Sequence, residues 1–163
     1  MKRIIFLDID GVISLHSDWG KEKDNRWDSY RFNKDCVEIL NSILDQVDAE
    51  IVLSSDWKKH WTLKEMQEIF EHNGVKQGPV DFTPNNDLYK AGFLPGGRGA
   101  EIKQWLKENN QDNDITWVAI DDLDIDNGGQ DEFFEDKFVH LPRYKEGIKQ
   151  TNKKETIIKI MNK

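Results

Sequence analysis

At 163 residues, with 37% hydrophobic and 33% charged side chains, the chain is long enough for one buried core under a very polar surface. Its formal charge of −8 argues against an extended, sequence-independent grip on nucleic acid, though it leaves room for a local basic patch. The lone cysteine, Cys36, excludes an internal disulfide and fits a reducing cytoplasm.

The first apolar run, Ile4-Ile5-Phe6-Leu7, meets Asp8-Ile9-Asp10-Gly11. It stops too early for a secretion signal, and no stretch approaches the ~20 apolar residues that span a bilayer. A short continuous apolar run bounded by a turn signal reads as a buried strand of a parallel sheet. Polar, irregular sequence follows to about Tyr30, with His16, Asp18, Trp19, Arg26 and Trp27 among charges. It reads as a flap over residues 12–32, lying across the carboxyl end of the strand. Asn33 reads as an N-cap, and Cys36, Val37, Leu40, Ile43, Leu44 and Val47 recur at helical spacing over 34–47. Residues 49–54, with Ile51-Val52-Leu53, form a second buried strand, so strand, helix and strand make a parallel βαβ unit.

Thr62 and Glu65 form a capping box for a helix with Leu63, Met66, Ile69 and Phe70 on its apolar face, ended by Asn73-Gly74. Within the Gly-, Pro- and Asn-rich stretch 75–97, only a short strand at Val80-Asp81-Phe82 is expected. Gly96-Gly97-Arg98-Gly99 precedes a helix over 100–109 that buries Ile102, Trp105 and Leu106. Ile115 to Ile120 is a strand that ends in Asp121-Asp122, before an acidic loop over 121–136. Phe138 to Leu141 is the last strand, and Thr151-Asn152 caps a closing helix through Ile157, Ile158 and Met161. The alternation predicts a single α/β domain over 1–163, a three-layer α/β/α Rossmann-like fold with a mainly parallel sheet of about five strands.

Three strand ends then carry reactive side chains on one edge of the sheet: Asp8 with Asp10, Ser54 with Ser55, and Asp121 with Asp122. Carboxylates converging without a cation repel and raise their pKa values, and a divalent cation resolves the conflict. Oxygen ligands without clustered histidines or cysteines suit Mg²⁺ better than zinc. Such a site binds phosphate oxygens. One aspartate there can attack phosphorus, a second can move protons, and Ser54 and Arg98 can hold the oxygens that are not transferred. Lys103 is the alternative to Arg98, and Ser55 the alternative to Ser54.

These residues resemble the motifs of the haloacid dehalogenase (HAD) superfamily of Mg²⁺-dependent phosphohydrolases. Ile4 to Val12 resembles motif I, Ile51 to Ser54 motif II, Arg98 the basic residue of motif III, and Val118 to Asp122 motif IV. The resemblance implies Asp8 as nucleophile and Asp10 as acid and base. It implies Mg²⁺ held by the Asp8 carboxylate, the Asp10 carbonyl and Asp122, with Asp121 and Asp126 in support. The stretch from Gly11 to Ser54, which already holds a helix, and that from motif II to motif III are each too short for the large cap domain of many HAD enzymes. An open mouth admits a bulky substrate, and the arrangement is similar to HAD domains of RNA-repair proteins and to polynucleotide 3′-phosphatases.

The expected activity is therefore phosphomonoester hydrolysis through an aspartyl-phosphate, with a nucleotide or an RNA or DNA phosphate end as substrate. A small-molecule phosphatase acting on nucleotides or sugars, or a non-catalytic HAD-fold binding module, is the alternative. Trp57-Lys58-Lys59-His60-Trp61 interleaves cations and aromatics beside the mouth. Trp57, Lys58, Arg26 and Trp27 are the candidate substrate-binding residues. Asp122, Asp124 and Asp126 match the first three positions of a calcium loop, but Asn127 and Phe133 break that pattern. Cys36 and His140 read as packing residues, and His16 as a surface residue.

Overall fold

The computed structural model describes residues 1–18, 31–85 and 97–163. Five parallel strands form one sheet, β1 (Lys2–Leu7), β2 (Glu50–Leu53), β3 (Asp81–Phe82), β4 (Ile115–Asp121) and β5 (Phe138–His140), in the order β3-β2-β1-β4-β5. Four α-helices accompany them among the described residues: α1 (Lys34–Val47), α2 (Leu63–His72), α3 (Arg98–Asn109) and α4 (Lys153–Met161).

Alternation along the strands builds the layers. Ile5 and Leu7 of β1, Ile51 and Leu53 of β2, and Val118 and Ile120 of β4 face one core with α1, α2 and α4. Ile4, Phe6, Val52, Trp117 and Ala119 face the other, against Ile102, Trp105 and Leu106 of α3 and against Phe134. Phe6 meets Trp105 and Trp117 edge-on, with ring centroids 5.3 and 5.8 Å apart. This is the expected three-layer, parallel α/β fold. No helix among the described residues is long and apolar enough to cross a membrane.

Several boundaries follow local chemistry. Asn33 accepts from Cys36 N at the start of α1, and Thr62 and Glu65 complete their capping box. Helix α3 begins at Arg98, two residues before the expected start, because Gly97 takes the cap position at φ 94°. Asn152 does stand at the start of α4, but at φ 65° and without a side-chain capping bond.

Of the flap expected over residues 12–32, residues 19–30 lie outside the described residues, and the described ends are tied down. Val12, Ile13 and Leu15 are fully buried in the α1 core, because the chain folds back at once: the amides of Val12, Ile13 and Ser14 all donate to Ile9 O. The far end is pinned as well, with Asn33 N donating to Ile13 O at 2.6 Å and Ser14 Oγ to Arg31 O at 3.2 Å. Arg26 and Trp27 lie outside the described residues.

Candidate active site

The sheet register delivers the site. β1 is central, pairing Leu7 with Leu53 on one side and with Ile120 on the other. The next residue of each strand therefore arrives at the same edge: Ser54 N donates to Leu7 O at 2.8 Å, and Asp8 N to Ile120 O at 3.2 Å. Chain order reverses between β1 and β4, the switch point at which open α/β sheets place their ligands.

Asp8, Ser54 and Asp121 are each about 2% exposed or less. Arg98 reaches them from the first turn of α3. Its Nη1 donates to both carboxylate oxygens of Asp121, at 2.9 and 3.0 Å, and lies 2.9 Å from Asp8 Oδ2 as an ion pair. Neither oxygen of Asp8 accepts a hydrogen bond among the described residues, and Ser54 Oγ has no hydrogen-bond partner either. Buried polar atoms are rarely left so. Three of them at one strand edge mark a place built for something else.

The electrostatics agree. Burial, then the charge of Asp121, pushes the Asp8 carboxyl well above its ordinary range; Arg98 opposes this, and the adjacent Asp122 carboxyl adds to the rise. Asp121 is pushed up to about 6, again mainly by burial and against the pull of Arg98. Burial disfavours the Arg98 charge, but Asp8 and Asp121 outweigh it and hold the guanidinium protonated. Asp8, Asp121 and Asp122 each offer a ligand oxygen within 4.8 Å of one another. Three carboxylates against one guanidinium leave the charge of one divalent cation to be balanced. The orphaned Asp8 oxygens and the all-oxygen donor set fit such a cation.

We expect a millimolar divalent cation to raise the melting temperature, by an amount that grows with pH. A carboxyl raised in the fold stabilises the metal-free protein below its unfolded pKa, and this is lost as pH rises through the folded value. For Asp121 the window runs from 3.8 to about 6. Thermal scans with and without cation should therefore diverge as pH passes about 6; a gain that stays flat across this range would contradict the assignment.

The structure separates residues that sequence left as alternatives. Ser55 Oγ accepts from Trp57 N and caps a short 3₁₀ turn, so the unpartnered hydroxyl is that of Ser54. Lys103 pairs with Asp131 at 2.6 Å and lies over the Phe133 and Phe134 rings, whereas Arg98 reaches Asp8 and Asp121. Asp10 stands at the rim, its carboxyl raised chiefly by burial and lowered by the Trp57 indole.

Trp57, expected as a stacking platform, packs on Phe32 and donates Nε1–H to Asp10 Oδ2 at 3.0 Å. Lys58, expected to meet substrate, turns its side chain inward instead, 3% exposed. Its ammonium contacts Thr83 Oγ1, Pro84 O and Glu101 Oε2, which engages all three of its protons. It ties the loop after β2 to α3, the helix that carries Arg98.

Two contacts with Asp122 join residues far apart in the sequence. His140 Nε2 lies 3.0 Å from the Asp122 carbonyl, steadying the turn after β4. Gly11, at φ 77°, runs so close to Asp122 that a Cβ there would sit 2.5 Å from Oδ2. Cys36 is core, its thiol pushed up to about 11 chiefly by burial.

The family model described as the HAD domain in Swiss Army Knife RNA repair proteins matches residues 4–152. The chain belongs to this family. The four motifs read from the sequence thus fall inside a HAD domain, and their order along the chain becomes adjacency at the strand ends of its sheet. HAD membership supports a phosphohydrolase type of enzyme with a metal ion, and the buried aspartate group is where this chain would hold it. No curated protein and no solved structure matches the chain.

Proposed function

We propose that this HAD domain is a Mg²⁺-dependent phosphomonoester hydrolase that works through an aspartyl-phosphate on Asp8, acting on nucleotide or nucleic-acid phosphate ends. The observation that carries the reading is the buried Asp8 carboxylate, ion-paired with Arg98 but accepting no hydrogen bond among the described residues, next to a Ser54 hydroxyl that has no partner among them either. A phosphoryl group gives the Ser54 hydroxyl an acceptor, Arg98 an anion and Asp8 an electrophilic phosphorus, while a cation would answer the Asp8 oxygens.

In this reading an Asp8 oxygen attacks phosphorus as the bond to the leaving oxygen breaks. The Asp10 carboxyl, raised by burial, gives that oxygen its proton, so an alcohol departs and Asp8 carries the phosphoryl group. Asp10, now ionised, takes a proton from water. The water oxygen bonds to phosphorus, the Asp8–phosphorus bond breaks, and inorganic phosphate leaves. Ser54 Oγ–H and Arg98 donate to the oxygens that are not transferred. Mg²⁺ held by Asp8, Asp122 and the Asp10 carbonyl, with Asp121 in support, would screen the negative charge of the incoming phosphoryl group. The family's RNA-repair description favours a nucleic-acid end over a sugar phosphate.

A panel of 3′- and 5′-phosphorylated oligonucleotides, mononucleotides and sugar phosphates, assayed with Mg²⁺, tests this reading. Release of phosphate from oligonucleotide ends is expected. Turnover of small phosphates alone would remove the nucleic-acid part, and no turnover at all would remove the enzyme.

Trp57 supplies a second test of the proton donor. Trp57→Phe keeps a ring against Phe32 but removes the donor to Asp10 Oδ2. We expect roughly tenfold lower kcat/KM for alkyl phosphates, whose leaving oxygen needs a proton, and little change in kcat/KM for p-nitrophenyl phosphate, whose leaving oxygen does not; the later water step, which also uses Asp10, does not enter kcat/KM. Equal losses on both would mean that Trp57 only supports the fold.

A further inference from the structure

Residues 143–154, Arg-Tyr-Lys-Glu-Gly-Ile-Lys-Gln-Thr-Asn-Lys-Lys, hold five cations and one carboxylate in a chain of net charge −8. Arg143 makes an exposed ion pair with Glu146 at 3.7 Å, and the proposed chemistry uses none of the five cations. Arg143, Lys145 and Lys149 are exposed, and Tyr144, between the first two, is 50% exposed. Lys153 and Lys154 open α4, where the helix dipole disfavours positive charge. Helix stability therefore does not account for them.

The segment is fixed in shape. Gln150 is buried and donates Nε2–H to Arg143 O and Gly147 O, both at 3.0 Å. Gly147, at φ 60°, lies against Val12, where a Cβ would come within 2.4 Å of the carbonyl oxygen. The segment is also fixed in place. Leu141 N donates to Asp121 O at 2.8 Å, and Ile148 N to Val12 O at 2.9 Å. The basic turn therefore spans from the end of β4 to the loop after β1, along the edge that carries Asp8 and Asp121.

Resting on the proposed function, we infer that the turn at Arg143, Tyr144, Lys145 and Lys149 is the track for the sugar–phosphate backbone of a single-stranded nucleic acid whose terminal phosphate enters at Asp8. Cations neutralise successive phosphates, and the exposed Tyr144 ring offers a face on which a base stacks. A mononucleotide or sugar phosphate has no further phosphates to reach the track. The track thus favours a strand end over a free small phosphate, and it does so locally, within a surface whose overall charge repels polyanions.

The test compares Arg143→Glu/Lys145→Glu with a control of equal charge change, Lys107→Glu/Lys159→Glu. The control residues stand in the last turns of α3 and α4. Helices that follow parallel strands end at the opposite edge of the sheet. Binding of a fluorescein-labelled, end-phosphorylated 10-mer is read by anisotropy, with every protein also carrying Asp8→Asn so that no turnover is needed. The track variant should weaken binding about tenfold and reduce the slope of log Kd against log salt by about 1.4, as expected for two lost phosphate contacts on a single strand. In the Asp8 background restored, its kcat on p-nitrophenyl phosphate should match that of the parent. Equal weakening by track and control pairs, or none by the track pair, overturns the inference. If the parent binds the 10-mer through the track yet releases no phosphate from any substrate, the proposed activity fails and the track stands.

Discussion

Asp8→Asn is expected to lower phosphate release by ~10³-fold or more, with the fold retained. An amide keeps the shape of the carboxylate but not its nucleophilic oxygen. Retention of the fold follows from the surroundings: Asp8 is buried, its carboxyl is raised by desolvation and by Asp121, and neither of its oxygens accepts a hydrogen bond among the described residues. The ion pair with Arg98 is lost, but the two Arg98 hydrogen bonds to Asp121 remain. Phosphate release and a thermal melt on the same sample check both halves. Wild-type turnover in a folded Asp8→Asn protein would remove Asp8 from the chemistry.

Gly11→Ala should also damage activity, by a different route. At φ 77°, any side chain costs about 1–2 kcal/mol of backbone strain. The new Cβ would also fall 2.5 Å from Asp122 Oδ2 and 2.7 Å from its Cγ. Asp122 must then swing away from Asp8 and Asp121, and the cation loses a ligand. Gly74→Ala separates the two effects: at φ 81° it carries the same kind of strain but meets nothing within 4 Å. Both variants should melt earlier than the parent by similar amounts. Only Gly11→Ala should lose the cation-dependent rise in melting temperature and at least tenfold in activity. Equal activity in both would mean that the Gly11–Asp122 contact has no part in the site.

How much of this was readable in advance depended on the range of the interaction. The strands were legible because a doubly covered parallel strand must be apolar throughout, and Ile4 to Leu7 and Ile51 to Leu53 are. The caps at Asn33 and Thr62 were legible because their partners lie three residues away. Asp8, Ser54, Arg98 and Asp121 converge because each ends a strand or starts a helix at the same sheet edge. What escaped was set by contacts distant in sequence. The indole of Trp57 reaches Asp10, and the ammonium of Lys58 reaches Glu101. A cation beside a tryptophan near the mouth looks the same in sequence whether it faces solvent or a buried glutamate. Val12, Ile13 and Leu15 likewise looked like the root of a flap, because nothing local announces that the chain turns back beneath itself at Ile9.

In the proposed reaction Asp8, with a cation, carries a phosphoryl group. The most direct test is beryllium fluoride, which mimics that group on a carboxylate, followed by fluorine NMR in the presence of Mg²⁺. A protein-bound fluoride signal that needs Mg²⁺ and disappears in Asp8→Asn is expected. A signal that survives Asp8→Asn, or its absence from the folded parent protein with Mg²⁺ present, would contradict that reaction.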